Sequence, residues 1–297
     1  MVATRRLSEL VASALSQLHL PEGRLLVALS GGADSATLAY LAAASGREVR
    51  MVHVDHQLDA SPAMAQAAEE IAATLGFTLE VFTVDVGSGS SLEERARDAR
   101  YRVLERLEAA VVTGHTRDDN VETMLINLTR GTGPRGLTGI PSFRAPNIHR
   151  PMLAVTRGET REIASLAGLP YVDDPMNEDM SLTRNRIRLL ILPLLRELNP
   201  QLDSAMARTA EMLESDIEFL DKLASQHQTG VLPVALVITL PKVLANRLLH
   251  HALESATIAP TADRIARMWS VAAGESERQD LAEGLSVVRR GALLVIE

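Results

Sequence analysis

The run Ser30-Gly31-Gly32-Ala33-Asp34-Ser35 follows an apolar stretch, Leu25–Leu29, and leads into residues with helical spacing. Its chemistry is that of an anion site. Glycine permits positive φ and lets backbone N–H groups approach a ligand closely. The start of a helix then offers unpaired N–H donors and a favourable dipole. Ser30 and Ser35 can add hydroxyl donors. Asp34 fits beside phosphates only if a cation lies between them, which points to Mg²⁺. A plain Gly-Gly turn capped by Ser35 or Asp34 is the alternative for the two glycines alone, and the strand–loop–helix setting favours the anion site. It is not a Walker loop, because both the glycine spacing and the Lys are missing.

A second constellation lies in Gly114-His115-Thr116-Arg117-Asp118-Asp119-Asn120-Val121-Glu122-Thr123. On a helix, Asp118, Asp119 and Glu122 share one face. Carboxylates so close imply a cation between them, a substrate amine or Mg²⁺. His53, His56 and His115 follow apolar runs, but none of their spacings is a zinc signature. Arginines are concentrated in two acid-free stretches. Arg130, Arg135, Arg144, Arg150 and Arg157 fall within Arg130–Gly158, and Arg184, Arg186, Arg188 and Arg196 within Ser181–Arg196. Local cation density of this kind suits a polyanion, although solvated faces would account for the charges alone. Gly131 to Gly136 imitates a dinucleotide fingerprint, yet it follows a helix and Pro134 should block another there. It reads instead as a glycine-rich loop bearing Arg130 and Arg135.

The elements that must position these groups are visible in the hydrophobic pattern. Leu25–Leu29, Val49–Val54, Leu79–Val84 and Ala110–Thr113 are short and nearly continuous, as strands buried on both faces should be. Helical patterns at Ser35–Ala44, Pro62–Leu75 and Leu92–Leu107 alternate with them, with Ser61 read as a cap ahead of Pro62. This alternation implies a parallel sheet covered on both faces, with ligands beyond the carboxyl ends of the strands. After about residue 200 a long amphipathic helix, a strand-like segment at Val231–Leu240, two helices and a hairpin around Arg290-Gly291 suggest a second, small α+β domain.

Composition excludes several classes. The 297 residues are 46% hydrophobic and 23% charged, which is ordinary for a globular chain of about two domains. With no cysteine, disulfides, thiolate metal sites and cysteine nucleophiles are all ruled out. The net charge of -8 argues against indiscriminate nucleic-acid binding. There is no apolar run long enough to span a membrane. The first residues read as a docked amphipathic helix rather than a signal peptide, so a soluble cytoplasmic protein is expected.

Ser-Gly-Gly-x-Asp-Ser after a first strand resembles the loop of the PP-loop (N-type) ATP pyrophosphatases. Further segments, taken in order, resemble the tRNA(Ile)-lysidine synthetase family within that group: His53-Val54-Asp55-His56, Glu94-Arg95-Ala96-Arg97 with Arg100-Tyr101, Gly114 to Thr123, Arg130-Gly131-Thr132-Gly133, Arg150-Pro151-Met152-Leu153, Asp174-Pro175-Met176-Asn177, and Arg184 to Arg188 before Pro193. The resemblance implies a Rossmann-like α/β fold with helices on both faces in a catalytic domain, residues 1–199. A linker helix and a small, mainly helical α+β tRNA-binding subdomain would follow at 200–297. It implies cleavage of ATP between the α and β phosphates, with Ser30, Gly31, Gly32, Ala33, Asp34 and Ser35 holding pyrophosphate and His53, Val54 and Gly114 near the nucleoside. Asp34, Arg97, His115, Asp118, Asp119 and Glu122 would be catalytic, Asp34 and Asp118 would hold Mg²⁺, and Asp119 and Glu122 would bind free lysine. Arg130, Arg135, Arg184 and Arg188 would contact an isoleucine tRNA with a CAU anticodon, and a homodimer is plausible for the family. Asp59, Met176 and Leu182 depart from the family pattern, and the further C-terminal domain that some members carry is not expected here. The readings outside this family are an ammonia-dependent amidating ligase like the NAD synthetases and a non-catalytic nucleotide- or RNA-binding module.

Overall fold

The computed structural model describes residues 2–58, 61–87, 92–227, 232–282 and 284–297; Asp59, one of the departures noted above, lies outside them. The chain forms two compact units, Met1–Ala210 and Glu211–Glu297.

The first unit is built on six strands: β1 (Leu25–Ala28), β2 (Val49–Asp55), β3 (Leu79–Thr83), β4 (Ala110–Thr113), β5 (Phe143–Arg144) and β6 (Ile148–His149). Their order is β3-β2-β1-β4-β6-β5, parallel except for the β5–β6 hairpin at one edge. Its helices are α1 (Val2–Gln17), α2 (Ala33–Ala44), α3 (Ser61–Thr74), α4 (Leu92–Leu104), α5 (Arg117–Thr129), α6 (Pro134–Leu137), α7 (Arg157–Leu166), α8 (Thr183–Arg186) and α9 (Leu192–Leu198), and α10 (Leu202–Ser225) contains the unit boundary. Side chains alternate across a strand, so Leu25, Val27 and Leu29 bury one face of β1 together with Leu10, Leu38, Leu41, Ile71 and Ile163. Leu26 packs on the opposite face with Val52, Tyr101, Leu104, Val111 and Ile148. This double burial is why the strands lack polar alternation in sequence.

Strand order reverses between β1 and β4. At such a switch point the loops after the two strands diverge and leave a crevice at their carboxyl ends. Ser30–Gly32 follows β1 and Gly114–Thr116 follows β4, so both constellations open onto one crevice.

Several local expectations change. Ser61 is the first residue of α3, and its hydroxyl accepts from Leu58 N–H at 2.9 Å rather than capping forward. Pro134 does not block a helix: it opens the one-turn α6, where the N–H that proline lacks would have had no partner. The carboxyl-terminal end of α8 runs into a π-helical turn, Ile187–Ile191, ahead of α9.

The second unit holds β7 (Leu232–Pro233), α11 (Val234–Thr239), α12 (Lys242–Ser255), α13 (Ala262–Ala273), β8 (Arg278–Ala282), β9 (Leu285–Arg290) and β10 (Leu293–Ile296). Its antiparallel sheet has the order β7-β10-β9-β8. Most of the strand-like segment is thus the helix α11, because a short apolar run does not distinguish strand from buried helix. Val234 and Val237, three apart, enter the core with Leu249, Leu253, Met268, Val271 and Val287. The hairpin turns at Gly291, with φ +61°.

Candidate active site

The loop after β1 is shaped by its glycines. Gly31 has φ +87°, and a Cβ there would stand 2.4 Å from the Met64 carbonyl oxygen, so no side chain fits. Gly114 serves close approach: a Cβ would sit 3.0 Å from the Asp34–Ser35 backbone. Ser30 and Ser35 have been turned into loop structure. Ser35 Oγ donates to Gly32 O at 2.9 Å and accepts from Ser30 N–H at 3.0 Å. Gly32 is the N-cap of α2 and makes no side-chain cap, which leaves the first N–H groups of α2 without one. His53 is buried and its Nδ1 donates to Leu29 O at 2.7 Å, so the ring supports the loop's approach strand. Val52 O accepts from Leu29 N–H and Asp55 O from Val84 N–H. Strand alternation therefore turns the Val54 peptide groups toward the β1 side, past the last paired residue of β1.

The helix after β4 starts with a reciprocal cap. Asp119 Oδ2 accepts from Thr116 N–H and Thr116 Oγ, both at 2.8 Å. One oxygen of Asp119 is thus structural. Its other oxygen accepts from Arg157 Nη2 at 2.7 Å. Glu122 is fully buried. It accepts from Arg157 Nη1 at 2.9 Å and, in bidentate fashion, from Arg188 Nε and Nη2 at 2.7 and 3.0 Å. Arg184 Nε stands 3.4 Å from the same carboxylate, and Arg184 Nη2 donates to Thr123 Oγ at 2.9 Å. Asp118 uses both oxygens as well, accepting from the Arg157 backbone N–H and from Arg196 Nη2, each at 2.8 Å.

The cations that these carboxylates demand are therefore arginines of the same chain. This corrects the expectation that a substrate amine or Mg²⁺ alone would separate them. Arg184 and Arg188, expected at RNA, both face Glu122. Of the first arginine-rich stretch, Arg150 is buried and donates to Pro141 O and Tyr101 Oη, while Arg144 pairs with Glu105 at 2.8 Å. Arg130 and Arg135 are exposed, as is Arg186 from the second stretch.

Arg157 is the residue that sequence reasoning placed only among generic polyanion contacts. It lies at the start of α7, just after the cap Thr156, and its Nε is 3.7 Å from Asp34 Oδ2. Asp34 also accepts a short hydrogen bond from Thr160 Oγ, on the same helix. The signal available in sequence was Thr156-Arg157-Gly158-Glu159, a capping box that starts a helix at the end of an acid-free run.

The electrostatics follow from this packing. Burial pushes the Asp34 carboxyl up to about 6, and the Thr160 hydroxyl and Arg157 only partly offset it. Burial would also raise Asp118 and Asp119, but Arg157, with Arg196 at Asp118 and with the Thr116 N–H and Arg184 at Asp119, holds both below the usual carboxylate range. His115 shares a hydrogen bond with Thr113 Oγ at 2.9 Å, and burial brings its pKa down to about 3. It is a neutral imidazole at physiological pH and supplies polarity, not charge.

Arg97, the expected catalytic arginine, is exposed, with its guanidinium 5.5 Å from the centre of the Tyr101 ring. Arg100 is the inward-turned member of that pair, and its charge acts on His56 and His115. Among the described residues, no three His, Asp or Glu side chains are grouped to hold a metal ion. Nor is any helix among them long and apolar enough to cross a membrane.

A glycine-rich loop and a β4-following helix at a parallel-sheet switch point define a PP-loop domain, and the family model described as a PP-loop domain matches residues 2–195. The tRNA(Ile)-lysidine synthase of Rhodococcus jostii (strain RHA1) is 38% identical over 263 residues, covering 86% of this chain and 76% of that protein. The enzyme of the same name from Salinispora tropica is 41% identical over 256 residues, covering 78% and 77%. The chain belongs to the tRNA(Ile)-lysidine synthase family. The U34-tRNA thiolase NcsA of Methanococcus maripaludis shares the fold, with a TM-score of 0.57 at 18% identity over 71% of this chain and 79% of that one.

Proposed function

We propose that this ATP-using ligase joins free lysine to C2 of the wobble cytidine of an isoleucine tRNA with a CAU anticodon, releasing AMP and pyrophosphate. The observation that carries the reading is the meeting, at one switch point, of an anion-binding loop with a buried carboxylate cluster. In the first step cytidine O2 attacks the α-phosphate of ATP, and pyrophosphate leaves into the N–H groups that open α2. In the second, the lysine side-chain amine attacks C2 and displaces AMP. Catalysis here is positioning and charge stabilisation.

Asp34 fits a Mg²⁺ ion. Its Oδ2 has Arg157 Nε no nearer than 3.7 Å, and a hard cation commonly takes one carboxylate oxygen together with phosphate oxygens. Asp118 fits less well, because both its oxygens are engaged. The ion would neutralise charge on the departing pyrophosphate. Asp119 and Glu122 are assigned to the lysine ammonium, and Arg100, in place of Arg97, to the α-phosphate side of the crevice. We further propose that residues 1–199 act as the catalytic domain and 200–297 as a linker helix and tRNA-binding subdomain.

Arg130 and Arg135 are assigned to the tRNA backbone. Reversing both charges should weaken tRNA binding by at least about tenfold at low salt and flatten its salt dependence, since each phosphate contact releases counterions. Filter binding across a salt series measures this; an unchanged slope would mean that the two arginines make no phosphate contact.

The reading itself is tested by pyrophosphate release. Release should require CAU-anticodon isoleucine tRNA, and it should persist for one turnover without lysine. Release from ATP alone, or with any tRNA equally, would remove the tRNA substrate from the assignment.

A further inference from the structure

We propose that Arg157 is a positioning residue that couples the nucleotide loop to the amine site. In the free protein its guanidinium occupies the place of the substrate ammonium, and bound nucleotide draws it away. The inference rests on the assignment of Asp119 and Glu122 to lysine.

The guanidinium bridges two sites. Its Nη1 and Nη2 hold Glu122 and Asp119 at 2.9 and 2.7 Å, while Nε stands 3.7 Å from Asp34 in the loop after β1. Both carboxylates are already engaged on this side. Arg184 and Arg188 also face Glu122, while Arg196 is shared between Asp118 and Asp203. An ammonium entering between Asp119 and Glu122 therefore needs the place that the two Nη groups of Arg157 fill.

Arg157 is the member that can leave without dismantling the site. Asp119 keeps its cap bonds to Thr116, and Glu122 keeps the bidentate Arg188 and the nearby Arg184. The backbone of Arg157 stays where it is. Its N–H bonds Asp118, the Thr156–Glu159 box caps its helix, and Thr37 Oγ donates to Thr160 O at 2.6 Å. Only the long side chain needs to swing. A triphosphate on the loop supplies the pull, because its oxygens match a guanidinium in bidentate geometry. The two carboxylates left behind form a ready ammonium site.

The consequence is ordered binding with a measurable coupling. Lysine should bind the free wild-type protein weakly, and at least about fivefold more tightly with α,β-methylene-ATP and Mg²⁺ present, with the nucleotide gaining by the same factor. In Arg157→Gln, lysine should bind the nucleotide-free protein more tightly than it binds nucleotide-free wild type, and the coupling factor should fall to about one. Arg157→Lys, which restores a cation with a single point of contact, should recover part of the coupling. Titration calorimetry of the three proteins, each first checked for a cooperative thermal transition, reads these quantities. Coupling that persists in Arg157→Gln, or weaker lysine binding to its free form, would overturn the proposal. If Arg157→Gln does not fold, an uncoupled wild type or an Arg157→Lys protein coupled as strongly as wild type would overturn it equally. Absence of lysine binding to wild type even with nucleotide and tRNA would instead refute the assignment of the amine site, and the inference with it.

Discussion

Glu122→Gln should be the most destabilising conservative substitution in the cluster. The wild-type carboxylate is fully buried and neutralises guanidinium groups from Arg157, Arg184 and Arg188. Glutamine keeps the shape and one acceptor oxygen but removes the charge, leaving Asp119 as the carboxylate that Arg157 and Arg188 must share and Arg184 beside them without a counter-charge of its own. Breaking a buried pair in this way costs about 3–5 kcal/mol, because the remaining charge is uncompensated. For a protein of this size that corresponds to a fall in Tm of roughly 10 °C or more. At a temperature where the variant is folded, its KM for lysine should rise by at least about tenfold, as expected when a charge-assisted contact is lost, with a smaller effect on pyrophosphate release. Calorimetry and lysine kinetics measure the two effects. A Tm within a degree of wild type would show that the arginines re-pair without Glu122, and an unchanged KM would remove it from the amine site.

Asp34→Asn should do the opposite to stability and more to activity. The folded-state pKa of Asp34 is about 6, above the ordinary carboxylate value near 4. The folded protein therefore binds this proton more tightly than the unfolded chain does. Stability contributed by the protonated form is present below about pH 4 and declines as pH rises to about 6. Above that the ionised, desolvated carboxylate costs about 2–3 kcal/mol. Asparagine keeps an oxygen for the Thr160 hydroxyl and removes the charge. The variant should be more stable than wild type at pH 8 and indistinguishable from it near pH 4. Pyrophosphate release should fall on the order of 10³-fold, as when a principal electrostatic contact to the transition state is removed. Thermal melts at the two pH values, with a pyrophosphate assay at pH 8, test both halves. Equal melting at pH 8 would contradict the buried-charge account, and wild-type release would contradict the Mg²⁺ assignment.

The readable parts of this site were those written in local sequence. Strand, glycine turn and helix start are adjacent between Leu25 and Ala44, and the acidic face of α5 lies within five residues, so both were legible. What stayed hidden depends on partners far along the chain. Arg157 meets Glu122 across 35 positions and Arg188 meets it across 66. The acid-free runs consequently looked like polyanion sites throughout, although Arg144, Arg157, Arg184, Arg188 and Arg196 are matched by acids elsewhere. Arg97 and Arg100 both lie on the face of α4 that carries the buried Tyr101 and Leu104, so helical spacing did not separate the exposed arginine from the inward-turned one. The β5–β6 edge hairpin escaped for a different reason: two-residue strands carry no periodicity to detect.

The central claim is the identity of the bond formed. Isoleucine tRNA with a CAU anticodon, incubated with ATP, Mg²⁺ and isotopically labelled lysine, can be digested to nucleosides and analysed by mass spectrometry. The account predicts label in a single nucleoside derived from the wobble cytidine, with a mass gain of lysine less water and one AMP released for each lysine joined. ATP cleavage to AMP and pyrophosphate with no labelled nucleoside would contradict it, and would mean that the crevice activates a substrate for some other nucleophile.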